Sequence, residues 1–315
     1  MGNRYINRAS VVLQKYLKDN VIKDKLLSKE TTMRVGGPAA IFAIADSFDH
    51  LQVVLYTARD WDLPLFIIGK GSNLLVSDSG FPGIVVRLGR DFMRKEIENA
   101  EVRVGAGISL PSLVQTTSKH SLDGLGFAIG IPGSLGGALA MNAGAHGECV
   151  GDLVRSVVVC TRDCKIGVLE QDQMHFEYRN GNFDKDYIIM GATLALSVGD
   201  TNLIKRRMEE YFARRKDGQP LQFPSAGSIF KNPRGIPAGK LIEEAGCKGM
   251  QIGSAEVSTK HANFIVNRGG ATASDIYALL KAVQRRVLDY HGIALEPEVE
   301  FLGEFNDMIV TPGKS

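Results

Sequence analysis

Two glycine-rich stretches have the residue types to hold a phosphate. In GKGSN, Gly69–Asn73, the apolar strand LPLFIIG leads directly into the glycines. Missing side chains there let the backbone approach a ligand closely and let successive N–H groups cradle an anion. In IPGSLGGALAMNAGA, Ile131–Ala145, the residues Gly133, Ser134, Gly136 and Gly137 precede a run of small residues. That is the pattern of a helix N-terminus facing a diphosphate with close packing behind it. Each stretch alone also fits a tight turn in a packed core; two in adjacent α+β units point to one large phosphate-bearing ligand. Neither is a common nucleotide loop. GIPAGKL, Gly235–Leu241, is one residue short of a Walker A loop and ends in Leu, and neither Gly69–Leu74 nor Gly130–Gly137 has dinucleotide-fingerprint spacing.

A third stretch, PSAGSIFKNP, Pro224–Pro233, is too broken for a helix and too polar for a buried strand. It reads as a rigid polar loop presenting the hydroxyl of Ser228 beside Lys231 and Asn232. The alternative is a surface turn in which Ser228 caps a helix.

The elements around these loops follow from periodicity. Residues 4–30 read as one or two helices with apolar positions Val11, Val12, Leu13, Leu17, Val21, Leu26 and Leu27. A strand at Ala39–Ala45 and a helix capped by Ser47 come next, then three short strands through Leu88. From Val102 a strand, a helix after Pro111 and the strands VRSVVVCT, KIGVLE and YIIMGATLALSVG make a second unit. The third contains the Arg-rich helix IKRRMEEYFARRKDG, read as a solvated face, the helix AGKLIEEAG and the strand ANFIVNRG. It ends in a helix whose stripe is Ile276, Leu279, Leu280, Val283, Val287 and Leu288, with Gly292 after it. The class is α+β, with expected boundaries at 1–95, 96–203 and 204–300 and a C-terminal tail at 301–315.

Composition excludes several functions. The 315 residues carry a net charge of +2, too balanced for the clustered basic face that nucleic-acid binding needs. No apolar run approaches membrane-spanning length, and the N-terminal segment has no signal-peptide core, so a cytoplasmic protein is expected. Four cysteines, Cys149, Cys160, Cys164 and Cys247, and six unpaired histidines give no metal-ligand spacing; free thiols and no metal are expected. No obligate protein partner is evident.

Eight blocks carry a resemblance. TTMRVGGPA, GKGSNLLVSDSGFPGIVVRL, GIPGSLGGALAMNAGAHG, YRNGNF, PSAGSIFKNP, AGKLIEEAGCKG, STKHANFIVN and LEPEVEFLG resemble, in this order, the UDP-N-acetylenolpyruvoylglucosamine reductases, the FAD enzymes of bacterial peptidoglycan precursor synthesis. The similarity spans about residues 28–305. It implies an FAD-binding fold of the vanillyl-alcohol-oxidase (PCMH) type in two subdomains, plus a C-terminal α+β substrate-binding domain. It also implies reduction of UDP-N-acetylglucosamine enolpyruvate to UDP-N-acetylmuramate with NADPH as co-substrate. The family's catalytic arginine, serine and glutamate fall on Arg179, Ser228 and Glu298. Arg179 would hold the charge that builds on the enolate, Glu298 would stabilise the enol form, and Ser228 would give a proton to C2 after hydride from the flavin reaches C3.

The same resemblance implies non-covalent FAD held by Gly69, Gly71, Ser72 and Asn73, by Gly130, Pro132, Gly133, Ser134 and Gly137, and by Asn142, Ala143 and Gly144, with Arg34 and Gly36 bordering the pocket. Tyr178, Lys231 and Asn232 would hold the anionic substrate. Arg179 could instead stack on Tyr178 or pair with Asp163 or Asp172, and Glu296 and Glu300 rival Glu298 because alternation puts all three on one face. Asn180-Gly181 and His146 depart from the family pattern. The short interval between Arg179 and Ser228 resembles the shorter form of the family, without an inserted tyrosine-bearing loop. An FAD oxidoreductase of the same fold acting on a small alcohol or sugar, and a non-catalytic flavin-binding regulator, are the competing readings.

Overall fold

The N-terminal helix stops earlier than periodicity suggests. In the computed structural model, which describes residues 2–233, 235–305 and 308–310, the helix spans Gly2–Leu17, and Lys18 then takes a left-handed φ of 53°. Val21–Leu26, expected to be helical, is a strand that hydrogen-bonds along Pro38–Ala45. Asp19 and Asn20 favour a turn over a continuing helix, and Val21 and Ile22 are β-branched and suit a strand.

The chain forms two compact units. The first takes residues up to Lys23, Ile41–Lys70 and Gly83–Arg215. One of its sheets has the order Val21–Leu26, Pro38–Ala45, Phe81–Leu88, Leu65–Ile67. Helices Gly2–Leu17 and Phe48–Asp60 contribute to the core there, which includes Leu13, Leu17, Ile41, Leu51, Val54, Leu55, Ile84 and Val86. Ser47 caps the second helix by accepting from the His50 N–H at 3.2 Å. The other sheet is antiparallel, in the order Ile166–Glu170, Val154–Cys160, Ile188–Ala195, Glu101–Gly105, Lys95–Glu98. Residues from the helices Leu110–Lys119 and Leu135–Ala140 share a core with it that includes Val102, Leu113, Val114, Leu135, Leu139, Val157 and Leu194. Pro111 lies in the first turn of its helix, where a missing N–H costs nothing.

The second unit takes Asp24–Ala40, Gly71–Pro82 and the residues from Lys216 on. A three-stranded antiparallel sheet, Gln251–Ile252, Ala255–Val257 and Ile265–Asn267, shares its core with helices Ala238–Glu244 and Ala273–His291. The long helix has a capping box, Thr272 with Asp275, and stops at Gly292 with φ 68°. Its stripe is buried except for Leu288, which is exposed. Leu74–Val76 pairs in parallel with Glu300–Phe305, which pairs on with Met308–Val310. Of the tail expected at 301–315, residues 306, 307 and 311–315 lie outside the described residues.

Candidate active site

In the second unit, the loop around Ser228 is held peptide by peptide. Ile229 N–H donates to the Asn263 carbonyl at 2.9 Å. The buried Asn263 carboxamide then grips the next residue from both sides, accepting from Phe230 N–H at 3.0 Å and donating to Phe230 carbonyl at 2.8 Å. Thr32 Oγ1 donates to Ser225 carbonyl at 2.7 Å, and Asn267 N–H donates to Pro224 carbonyl at 2.9 Å. Ile229 and Phe230 are buried to about one per cent exposure, so the loop is anchored in the core immediately after a half-buried Ser228. Ser228 caps no helix: the nearest downstream helix begins at Ala238, with Pro237 at its cap position. His261 supports the same anchor, its Nδ1 accepting from Asn263 N–H at 3.2 Å, and burial lowers its pKa, which favours the neutral, accepting ring.

Glu298 lies alongside this loop. Its N–H donates to Ile229 carbonyl at 2.7 Å, Lys231 N–H donates to Glu296 carbonyl at 2.9 Å, and Phe230 and Pro297 form an isolated bridge. The three glutamates thus part company. Glu296 is exposed and pairs with the Lys231 ammonium at 2.5 Å. Glu300 opens the parallel strand beside Leu74, beyond the bend at Val299. Only Glu298 has its own peptide bonded to the residue that follows Ser228. Asn232, expected at the substrate, uses its carboxamide oxygen to accept from Ala238 N–H at 2.9 Å and so fixes the start of that helix.

The Gly71–Asn73 turn belongs to the same unit. Gly71 has φ 59°, its carbonyl accepts from Thr32 N–H at 3.1 Å, and a Cβ there would stand 2.3 Å from the Glu30 carbonyl oxygen. Among the described residues, the N–H groups of Gly71, Ser72 and Asn73 donate to no protein acceptor. Gly36, with φ 118°, abuts Val76, and Arg34 is also left-handed, at φ 57°.

In the first unit the two glycine stretches meet. A Cβ on Gly69 would stand 2.3 Å from Ser134 Oγ, and Arg87 Nε donates to the Gly69 carbonyl at 3.1 Å. Ser134 caps Leu135–Ala140, accepting from Gly137 N–H at 3.3 Å. The helix terminus itself is not open to an anion: Leu135 and Gly136 N–H donate to Ile108 and Ala106 carbonyls at 3.0 and 2.8 Å. Among the described residues, the N–H groups of Gly133 and Ser134 have no protein acceptor. Pro132 is exposed beside them, and a Cβ on Gly130, at φ 77°, would press on Phe212 at 3.1 Å and Arg215 at 3.2 Å.

Asn142 and Ala143 are engaged within the protein. The buried Asn142 carboxamide donates to Glu177 carbonyl at 2.9 Å and accepts from Gly151 N–H at 3.0 Å. Ala143 N–H donates to Ala138 carbonyl at 2.8 Å, and Gly144 pairs with Cys149 in a small hairpin. Asn142 thereby anchors the turn that carries Tyr178 and Arg179, a turn closed by reciprocal bonds between Glu177 and Asn180 at 2.8 and 3.2 Å. Arg179 has φ 57°, and its guanidinium stacks 5.0 Å from the exposed Tyr178 ring centroid. His146, where the family pattern favours an aromatic, itself stacks on Tyr211 with centroids 4.3 Å apart, and Tyr211 OH donates to Glu148 at 2.8 Å.

The charge-rich helix sequence places Arg215 on a solvated face. Its Nε is instead buried with no hydrogen-bond partner among the described residues, and burial lowers its pKa. A desolvated cation beside Gly130 is suited to an anion. The one signal for it in the sequence is a position late in a helix otherwise rich in exposed charge.

These features fit FAD. Its pyrophosphate calls for unpaired backbone N–H groups and close backbone approach, which the Gly71–Asn73 turn, the Gly133–Ser134 peptides and Gly69 supply in their respective units. Among the described residues there is no cluster of His, Cys, Asp or Glu able to hold a metal ion, and no helix long and apolar enough to cross a membrane.

Residues 39–169 match the family model for an FAD binding domain, and residues 219–302 match that for the C-terminal domain of UDP-N-acetylenolpyruvoylglucosamine reductase. The chain is 45% identical to the UDP-N-acetylenolpyruvoylglucosamine reductase of Heliobacterium modesticaldum, over 88% of this chain and 89% of that protein. It is 45% identical to that of Moorella thermoacetica, over 93% and 96%. The crystal structure of UDP-N-acetylenolpyruvylglucosamine reductase from Thermus caldophilus superposes with a TM-score of 0.78 at 38% identity, covering 90% of this chain and 98% of that one. The fold is α+β, an FAD binding domain followed by that C-terminal domain. With similarity of this degree along nearly its whole length, the chain belongs to the UDP-N-acetylenolpyruvoylglucosamine reductase family.

Proposed function

We propose that this chain reduces UDP-N-acetylglucosamine enolpyruvate to UDP-N-acetylmuramate, with FAD as its redox group and NADPH as the reductant. The observation that carries the reading is the pairing of the Ser228 loop with the Glu296–Glu298 segment inside a chain of this family. Bound FAD supplies the chemistry of taking a hydride from NADPH and passing it to C3 of the enolpyruvyl ether.

The protein's own part is electrostatic and protonic. Arg179 presents a planar fork that matches the substrate carboxylate and the enolate charge next to it. Glu298 shares a proton with that carboxylate and favours the enol form. Ser228 Oγ delivers the proton to C2; its rigid, core-anchored loop fixes the direction of delivery. Lys231 attracts the anionic substrate, exchanging its contact with the exposed Glu296 for the ligand, and Tyr178 and Asn232 are further proposed substrate contacts. The FAD contacts are proposed at Gly69, Gly71, Ser72, Asn73, Gly130, Pro132, Gly133, Ser134, Gly137 and Gly144. Asn142 and Ala143 act through the turns they hold, and Arg215 is added as an anion partner. A nucleotide sugar and NADPH as substrates favour a reaction in the cytoplasm.

The test is anaerobic. NADPH-reduced flavoprotein is mixed with UDP-N-acetylglucosamine enolpyruvate, and the oxidised flavin spectrum should return stoichiometrically with the sugar nucleotide. Bleaching of the oxidised flavin by a simple sugar or alcohol, with return of the spectrum on admitting oxygen and none with the sugar nucleotide, would sink the proposal in favour of an oxidase of the same fold.

A further inference from the structure

Asn73 sits in the turn proposed at the flavin, yet its side chain is used elsewhere. Its Nδ2 donates to the carbonyl oxygen of Glu298 at 2.9 Å, and its own carbonyl accepts from Glu300 N–H at 2.9 Å. With Glu298 N–H on Ile229 at 2.7 Å, both backbone polar groups of Glu298 are held.

The ladder geometry explains why a side chain is needed. Leu74–Val76 runs parallel to Glu300–Phe305 in the register Glu300↔Leu74. In a parallel ladder of that register, Glu300 N–H bonds to the carbonyl of residue 73, and the preceding rung runs from the N–H of residue 73 to the carbonyl of residue 298. The first of these bonds is present; the second is not, because the backbone N–H of Asn73 belongs to the turn and has no protein acceptor among the described residues. The Asn73 carboxamide takes that rung instead. The ladder gains a bond at the Glu298 peptide, and the turn keeps a backbone donor for an anion.

We infer that Asn73 is a positioning residue for Glu298: its carboxamide replaces a main-chain rung, fixing the Glu298 peptide while leaving its own N–H to the ligand loop. The inference rests on the proposed role of Glu298 and extends it to a residue that does not itself meet the substrate.

Two variants test it, Asn73→Ala and the near-isosteric Asn73→Asp, whose side chain cannot donate to the carbonyl. In flavin-free protein, amide hydrogen exchange in the peptide spanning Glu296–Leu302 should rise roughly tenfold, the effect of one lost hydrogen bond on local opening. In flavin-loaded protein, reoxidation by the sugar nucleotide, measured per bound flavin, should slow roughly tenfold in either variant while reduction by NADPH is unchanged, and either substitution should cost nothing further in a Glu298→Gln background. Unchanged exchange in that peptide, equal losses in both backgrounds, or an effect on flavin affinity alone would each overturn the inference. If the parent protein fails to react with the sugar nucleotide, the proposed function falls, and the exchange result alone decides whether Asn73 holds the Glu298 segment.

Discussion

Glu298 N–H reaches the carbonyl oxygen of Ile229 at 2.7 Å, so the proposed acid and the residue that follows Ser228 share a hydrogen bond. Two groups proposed to act on one substrate are thereby joined through backbone, which moves far less than side chains do. The Ser228 hydroxyl inherits that rigidity. Ser228→Ala should leave flavin reduction by NADPH intact and slow reoxidation by the sugar nucleotide by about 10²–10⁴-fold, the usual contribution of one positioned general acid. Stopped-flow absorbance on each half-reaction checks it; equal slowing of both would show that Ser228 is not the proton donor.

Arg179 gives a prediction about geometry rather than charge. Lysine keeps the positive charge but cannot offer two parallel donors to a carboxylate. Arg179→Lys should therefore cost about 10²–10³-fold in turnover, comparable with loss of a charge-stabilising donor elsewhere. Steady-state kinetics with the sugar nucleotide decide it, and near-normal turnover would mean that the stacking on Tyr178 is the residue's whole role.

Asn263 is the hidden support of the loop. Its buried carboxamide satisfies both the N–H and the carbonyl of Phe230. Asn263→Leu leaves two buried backbone groups without partners, so urea denaturation should show a loss of about 2–4 kcal/mol. A loss under about 0.5 kcal/mol, the range of an ordinary surface substitution, would show that the Phe230 peptide finds other partners.

Gly69 and Gly147 make a matched pair. A Cβ on Gly69 would collide with Ser134 Oγ at 2.3 Å, whereas one on Gly147, at φ 85°, meets nothing within 4 Å. Gly69→Ala should weaken flavin binding at least roughly tenfold, as a small steric shift in a close backbone approach does. Gly147→Ala should cost about 1 kcal/mol of stability through backbone strain and leave the flavin content unchanged. Flavin absorbance of the two purified variants separates them.

Asp46 supplies a pH dependence. Its carboxylate accepts from Arg90 N–H at 2.9 Å and Asn20 Nδ2 at 2.8 Å. The Arg90 backbone bond is the main cause of a pKa below the usual 3.8, with burial opposing it and the Asn20 bond helping. A lowered folded pKa means stabilisation that is fully present above the unfolded value and lost as pH falls through the folded one. Asp46→Asn should therefore lower stability by about 1 kcal/mol at pH 7 and by progressively less as pH falls below the unfolded value and through the lower folded one. Thermal melts across that range test the crossing.

How much of this was legible beforehand depended on range. The PSAGSIFKNP turn, the two glycine stretches and the Ser47 cap are local chemistry, and each is where the residues put it. The strand at Val21–Leu26 is not legible locally because its pairing with Pro38–Ala45 is decided across the sheet, and the helical spacing of Leu13, Leu17 and Val21 mimics a continuing amphipathic helix. Arg215 looked solvated because neighbouring charges dominate its helix; only the approach of Gly130 reveals its burial. Nothing in STKHANF announces that Asn263 grips a residue 33 positions earlier.

The Gly71–Asn73 turn, finally, leaves three amides without a protein acceptor among the described residues, and as the proposed flavin cradle it forgoes bonds that a bound cofactor would provide. A molecule that fills this cradle binds the native form and has no counterpart in the unfolded chain, so mass action raises the melting temperature with its concentration, by about 2.7 kcal/mol of added stability at a hundredfold excess over Kd. Riboflavin starvation would then be felt twice by the cell, as lost catalysis and as faster proteolytic turnover of the protein itself.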